Sequence, residues 1–401
     1  MKLEKKTKSI AYGMEFSHGI RRAILGALAL VYFLSLGFSV FSVTTLFAIS
    51  GIVMMLFEFP TGAVADYDSR KKSLIISYFL FSVAFLGVFL FQDFWILAIF
   101  WILGDVAWTF STGAGSAWLT DTLGYAKDKS KLATLISREY FFEKGGHVVG
   151  GLIALVVVAI NFRFIWLVIS IVYFLLMLVM IFFAEEKNFT PEKVPHNYLK
   201  KTIIKAKESY SYVIHKSNKE LRILLIGGFF SVVAISSFFI GVPLILTQTF
   251  NMRPEFLGGL YSIFAVFSLG ATFVAEKSIH KKGIKISLII ISLLIGIAII
   301  AFSLSPYLLM AVIVLGLFMI FETINDIIED TSRELEFSSK IRASLGSLNS
   351  INWTVANSLG IFLAGIGISF LGLINTMVIS GVVGLFVAVI YLFGLSGEKL
   401  E

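Results

Sequence analysis

The stretch FIWLVISIVYFLLMLVMIFFA, residues 164–184, contains no charged side chain, no glycine and no proline. At ~1.5 Å of rise per residue, a helix of this length crosses the ~30 Å hydrocarbon core of a bilayer. Residues 73–91 and 374–395 are equally free of charge. A membrane β-barrel would show short alternating segments instead of continuous apolar runs, so these runs predict transmembrane α-helices. The whole chain agrees: of 401 residues 57% are hydrophobic, 40 are Phe, and only 15% are charged, against about 25% in an ordinary soluble domain. The fold class expected is an all-α membrane protein.

Extending this reading along the chain gives twelve spans: 9–35, 43–61, 73–91, 94–118, 137–160, 164–184, 221–247, 254–275, 284–304, 306–328, 341–371 and 374–395. The longest polar segment, 185–220, carries Pro191, Pro195 and a lysine-rich run from Lys200 to Lys207. It divides the chain into an N-terminal half (1–184) and a C-terminal half (221–401) of six spans each. Leu199, Ile203, Ile204, Tyr210 and Val213 recur at roughly helical spacing in that linker. Either it lies on the anionic inner leaflet or it is simply solvated. Met1–Lys8 leads into a span with no small-residue cleavage pattern, so the first span is expected to serve as its own targeting signal. With no Cys, the chain has no disulfide framework, thiolate metal site or cysteine nucleophile.

The net charge of +7 follows membrane topology and implies no nucleic acid. Of the 33 Lys and Arg, only Arg163 and Arg253 fall in one set of alternate loops, while Arg21, Arg22, Arg138 and Lys144 lie within or at the edge of spans. The rest sit at the termini and in the loops near Arg70, Lys129, Lys205, Lys281 and Lys340. The positive-inside rule then puts both termini in the cytoplasm of a multi-pass inner (plasma) membrane protein.

At the inner end of span two the sequence reads Glu58-Phe59-Pro60-Thr61-Gly62-Ala63-Val64-Ala65-Asp66-Tyr67-Asp68-Ser69-Arg70-Lys71-Lys72. This resembles the loop between the second and third helices of the major facilitator superfamily. Gly62, Asp66, Arg70 and Lys71 match position for position, and Ser69 replaces the usual Gly. The resemblance implies two six-helix halves around a central cavity, and a conformational latch formed by Glu58, Gly62, Asp66, Arg70 and Lys71. Physically, Gly62 would let backbones approach closely, and Asp66 and Arg70 would form a charge-assisted pair. Gly113-Ala114-Gly115-Ser116-Ala117 and Gly146-His147-Val148-Val149-Gly150-Gly151 are loosely similar to motifs of the drug/proton exporter branch. Thr109 stands where those exporters usually have Arg, and His147 where they have Pro.

Ionisable groups at membrane depth cost about 2.5–3.5 kcal/mol each on insertion scales, which makes them functional candidates. Span one has Glu15, His18, Arg21 and Arg22; Glu15, His18 and Arg22, at i, i+3 and i+7, share a face. Either this face is buried, or the span starts at Ala23 and leaves the charges in water. The natural turn at Ser35–Ser39 favours burial. Asp105, between Trp101 and Trp108 in span four, falls at the same depth as Arg21 and Arg22, so a pair between Asp105 and one of the two arginines is expected, either functional or merely fixing the packing. Glu139, Glu143 and His147 run i, i+4, i+8, a spacing compatible with a proton relay. Further candidates are Glu322, Asn325, Asp326 and Glu329 in span ten, and Asn349, Asn352, Trp353 and Asn357 in span eleven. Ser236, Ser237 and Gln248 belong to span seven and bind solute or bridge helices.

The substrate- or proton-binding set expected is therefore Glu15, His18, Arg21, Arg22, Asp105, Trp108, Glu143, His147, Glu322, Asn325, Asn352 and Trp353. The function expected is secondary active transport of a small solute by a monomer, with protons as coupling ion and no cofactor. Export of amphipathic organic compounds leads. Proton-coupled uptake of a small organic anion drawn by Arg21 and Arg22 is the alternative, and a non-transporting sensor on the same fold another. The absence of His-Glu-x-x-His, Walker and Gly-x-Ser-x-Gly motifs argues against an enzyme.

Overall fold

The computed structural model describes residues 2–125, 129–189, 207, 209–215, 218–268, 270–337 and 342–396. Among them there is no strand. The helices are α1 (Lys2–Ser35), α2 (Val40–Tyr67), α3 (Arg70–Leu90), α4 (Phe94–Ser111), α5 (Ala114–Leu123), α6 (Lys129–Ile160) and α7 (Phe164–Phe183). After the linker come α8 (Lys219–Leu244), which closes in a π turn (Ile245–Thr249), α9 (Glu255–Ser268) and α10 (Ala271–Lys282). The chain ends with α11 (Ile284–Ser303), α12 (Leu308–Glu336), α13 (Arg342–Leu371) and α14 (Leu373–Gly394).

Ten helices among the described residues are long and apolar enough to cross a membrane, with α4 and α5 counting as one. The other two expected spans are helical but differ in kind. α1 is one unbroken helix in which Glu15–Arg22 are followed by a long apolar run, and the region of span eight is divided between α9 and α10. Large apolar side chains lie outside, among them Trp95, Ile160, Phe370 and Phe393, while His18, Arg21, Ser50, Ser77 and Glu143 are buried. This reverses the usual soluble pattern and suits a hydrocarbon solvent, where polar groups find partners only inside the bundle.

The helices gather into two compact units. One comprises Met1–Phe38, Ser50–Pro195 and Arg253–Ile263; the other comprises Ser39–Ile49, His196–Met252 and Phe264–Glu401. The expected halves, 1–184 and 221–401, supply most of each, while the start of α2 groups with the second unit and the start of α9 with the first.

In the first unit, α1 packs along α6 through glycine. A Cβ on Gly19 would sit 2.0 Å from the Glu143 carbonyl oxygen, one on Gly146 1.9 Å from that of Phe16, and one on Gly150 2.7 Å from that of Ile20. Only hydrogen at these positions allows so close a crossing. Around it, Phe81 stacks on Tyr173 at 4.4 Å, and Trp166 packs edge-on against Tyr32 and Trp101. In the second unit α11 crosses α14 at Gly296 and Gly381 in the same way.

Replacing Gly146 by Val drives a side chain into backbone and is expected to destabilise by about 1–3 kcal/mol. Gly13, where an added Cβ meets nothing within 4 Å, should accept Ala with no loss and a gain of up to ~1 kcal/mol in helix propensity. Thermal unfolding of the two variants in detergent checks the contrast.

Candidate functional site

Helix α4 stops at Thr112, and Gly113, with φ +73°, starts α5 in a new direction. A side chain would strain that backbone. The break opens space beside α1 and α6, forming a cavity of about 400 Å³. Its walls include Glu15, His18 and Arg22 from α1, Trp108 and Thr112 from α4 and its cap, Ser116 and Thr120 from α5, and Glu139, Tyr140 and Glu143 from α6. The small-residue run 113–117 thus supplies a break and part of a wall. Thr109 donates its hydroxyl to the Val106 carbonyl.

At the centre of the cavity wall Arg22 Nη1 donates to Glu143 Oε1 at 2.6 Å. Arg22 is 48% exposed at its side chain and Glu143 10%, so one partner is nearly sealed while the other reaches open space. Breaking such a pair strands the buried partner, which is costlier than never building it. The guanidinium carbons of Arg21 and Arg22 lie 4.7 and 5.5 Å from the Trp108 ring centroid, within cation–π range. Behind them Arg21 Nε donates to the Tyr173 hydroxyl at 3.1 Å, and His18 Nδ1 lies 2.8 Å from the same oxygen.

Glu15, His18, Arg22, Trp108 and Glu143, all expected from sequence, therefore meet in one cavity. Asp105 does not pair with either arginine. It accepts a hydrogen bond from Ser50 Oγ at 2.5 Å, and faces Arg21 across a small hollow floored by Phe81, Phe85 and Trp101, within electrostatic reach but without an ion pair. Consecutive residues on a helix point about 100° apart, so Arg22 faces Glu143 while Arg21 turns to Tyr173. Nor does His147 complete a line with Glu139 and Glu143. Its backbone packs against Gly19, and its imidazole is not a wall of the cavity.

Glu322, Asn325, Asn352 and Trp353 belong to the second unit. There Asn325 Nδ2 contacts Ser231 Oγ and Glu329 Oε1 at 3.3 and 3.2 Å. Glu329 also binds Arg333 and accepts from the Tyr391 hydroxyl, both at 3.1 Å. This network ties α12 to α8 and α14. Asn352 donates to the Leu225 carbonyl at 3.1 Å, and Ser236 to Asn357 Oδ1 at 2.6 Å, so these amides bridge helices. Trp353 is half exposed, and Glu322 is half-buried.

The 58–72 motif is built differently from its expected form. A Cβ on Gly62 would meet nothing within 4 Å among the described residues, so none of the described helices approaches it closely. Asp66 is exposed and is not the partner of Arg70, which binds Asp121 at the end of α5 together with the Ala117 carbonyl. The Glu58 carboxyl has no hydrogen-bond or ion-pair partner among the described residues. Lys71 Nζ donates to the Ala184 carbonyl at 2.7 Å, capping α7, and Ser69 caps α3 by accepting from the Lys72 amide. Glu186 accepts from Ser69 Oγ at 2.6 Å and from the Lys71 amide at 3.1 Å, which seats a carboxylate on the positive end of α3.

The family model of the Major Facilitator Superfamily matches residues 12–348. The chain belongs to that superfamily. A curated relative, an uncharacterized MFS-type transporter YxaM of Bacillus subtilis (strain 168), is 24% identical over 285 residues, or 68% of each chain. A solved point mutant of the nucleoside transporter NupG superposes with a TM-score of 0.83 at 13% identity, covering 98% of this chain and 100% of that one. A D-xylose-proton symporter gives 0.73 at 13% identity over 99% of both, and the human organic anion transporter MFSD10 0.67 at 12% over 97% and 99%. The chain is thus a multi-pass membrane transporter of the superfamily and not an enzyme.

Sequence reasoning missed Asp121 as the partner of Arg70, Arg333 as that of Glu329, and Tyr173 as the group behind His18 and Arg21. The Arg70–Asp121 and Tyr173 contacts join different helices, which no spacing rule reveals; Glu329 and Arg333 are an i, i+4 pair that helical spacing would have found had the span been read past residue 328. Asp121→Asn is expected to cost on the order of 1 kcal/mol, while Asp66→Asn should stay within about 0.5 kcal/mol of the parent; thermal unfolding separates them. At the N-terminal end of α1 the Lys8 ammonium and the Tyr125 hydroxyl hold the Glu4 carboxyl down to about 2. A depressed carboxyl contributes above its unfolded pKa and loses that contribution as pH falls through the folded one. Acidification from pH 7 to pH 5 should therefore leave the amide-exchange protection factors at residues 3–8, the rates corrected for their intrinsic pH dependence, unchanged.

Proposed function

We propose that this chain is a proton-coupled carrier that exports small amphipathic organic solutes by alternating access. In this reading α1 and the α9–α10 pair complete twelve spans in two halves, 1–184 and 221–401, joined by the linker 185–220. The protein works as a monomer in the plasma membrane with both termini in the cytoplasm. The observation that carries the reading is the Arg22–Glu143 pair on the wall of a cavity that also holds Glu15 and Glu139. A proton on Glu143 removes the charge that holds Arg22, and a cationic solute competes with Arg22 for the same carboxylate. One ion pair thus answers to both proton and cargo, which is what coupling requires.

Three carboxylates and one exposed guanidinium give the cavity a net acidic lining, and Trp108 and Tyr140 offer flat apolar faces. That combination suits a cationic amphiphile. The D-xylose-proton symporter among the structures of the same fold supports protons as the coupling ion. Uptake of an organic anion is the second reading. The exposure of Arg22 favours it, and the surrounding carboxylates oppose it.

The test uses purified protein in sealed vesicles with a pH gradient of either sign and rhodamine 6G as probe. Wild type should move the dye against the proton flux. Glu143→Gln should lose gradient-driven movement by about tenfold or more, equivalent to ~1.4 kcal/mol, while still exchanging dye across the membrane. Gradient-independent movement by the wild type would overturn the coupling, and stimulation by small organic anions alone would favour the second reading.

A further inference from the structure

His18 sits on the cavity wall with its Nδ1 2.8 Å from the Tyr173 hydroxyl, and Arg21 Nε lies 3.1 Å from that oxygen on another side. Arg21, His18 and Tyr173 are 8%, 4% and 0% exposed. A guanidinium N–H can only donate, so the Tyr173 oxygen accepts from Arg21. The single phenolic hydrogen then has to go elsewhere. Tyr78, the other hydroxyl beside the imidazole, has no hydrogen-bond partner among the described residues, which leaves His18 Nδ1 as the acceptor.

A buried hydroxyl hydrogen without an acceptor is expensive, and this settles the imidazole. Were Nδ1 protonated, in the other neutral form or in the cation, both neighbours would donate to the Tyr173 oxygen and strand its hydrogen. The charged and titratable groups around the ring are Glu15, Arg21 and Arg22 on α1, Tyr78 on α3, Glu139 and Glu143 on α6 and Tyr173 on α7. Along α1, Glu15 and Arg21 each lie three residues from His18 and Arg22 lies four.

We propose that Arg21 and Tyr173 lock His18 as the neutral Nε2–H tautomer. His18 is then a fixed hydrogen-bond donor to the solute and not a stage in the proton path. With Nδ1 spent on Tyr173, Nε2–H is what the ring offers the cavity. The solute therefore carries a hydrogen-bond acceptor, an ether, carbonyl or ring nitrogen, beside the positive charge that the carboxylates attract. The solute part rests on the transport reading above; the tautomer does not.

The test has two arms on the full-length protein in lipid nanodiscs. In the first, ¹⁵N-histidine resonances are followed from pH 6 to pH 8, with His18 identified by its loss in His18→Asn. An unprotonated Nδ1 and protonated Nε2, unchanged over that range and scrambled by Tyr173→Phe, are expected. A protonated Nδ1, or titration within the range, would overturn the proposal. In the second, binding of rhodamine 6G, a cation with ether and ester oxygens, is compared with tetraphenylphosphonium, a cation with no acceptor. His18→Gln keeps an N–H near the Nε2 position and should bind both as the wild type does. His18→Asn lacks it and should weaken rhodamine about tenfold, ~1.4 kcal/mol, while leaving tetraphenylphosphonium unchanged. Equal losses for both cations would refute the donor role. If the wild type binds neither cation, the transport reading falls and the resonances still decide the tautomer.

Discussion

A guanidinium packed among helices has to be held by something, and α1 presents two in succession. Most of the first unit is arranged around that demand. Arg22 is held by Glu143, while Arg21 is held by the Tyr173 hydroxyl and the faces of Phe81 and Trp108. To bring α6 close enough for the first of these, the crossing needs glycine at positions 19, 146 and 150. Providing the second requires α7 to carry a tyrosine among residues that, Ser170 apart, are apolar.

The fold was legible because its rule is one-dimensional. Lipid admits only helices of sufficient length or closed barrels, so long continuous uncharged runs mark helical spans. α7 and α14 follow 164–184 and 374–395 within a residue or two. The extra length of α1 and α12, by contrast, lies outside the apolar runs, where hydropathy has nothing to report.

The site was legible in depth and not in direction. Counting along the helices gives depth within a span, and Glu15, His18, Arg22, Trp108 and Glu143, all singled out inside spans, share one cavity. The same count put Asp105 beside the arginines, but its carboxylate meets Ser50 instead, since depth says nothing of the angle around an axis. The 58–72 motif shows the same limit. Its residues are where the superfamily has them, yet Arg70 binds Asp121 and leaves Asp66 in the open.

The Gly19 crossing has a mechanical corollary. A Cβ there would collide with the carbonyl of Glu143, and Arg22 stands only one turn further along α1. The two backbones touch at that crossing, so the stretch of α6 that carries Glu143 stays beside the stretch of α1 that carries Arg22. Arg22, half exposed, can leave Glu143 by swinging its side chain, an event of picoseconds to nanoseconds for exposed side chains. Any step of the cycle that takes microseconds or longer must belong to a larger body, for which α1 and α6 act as a single stiff lever.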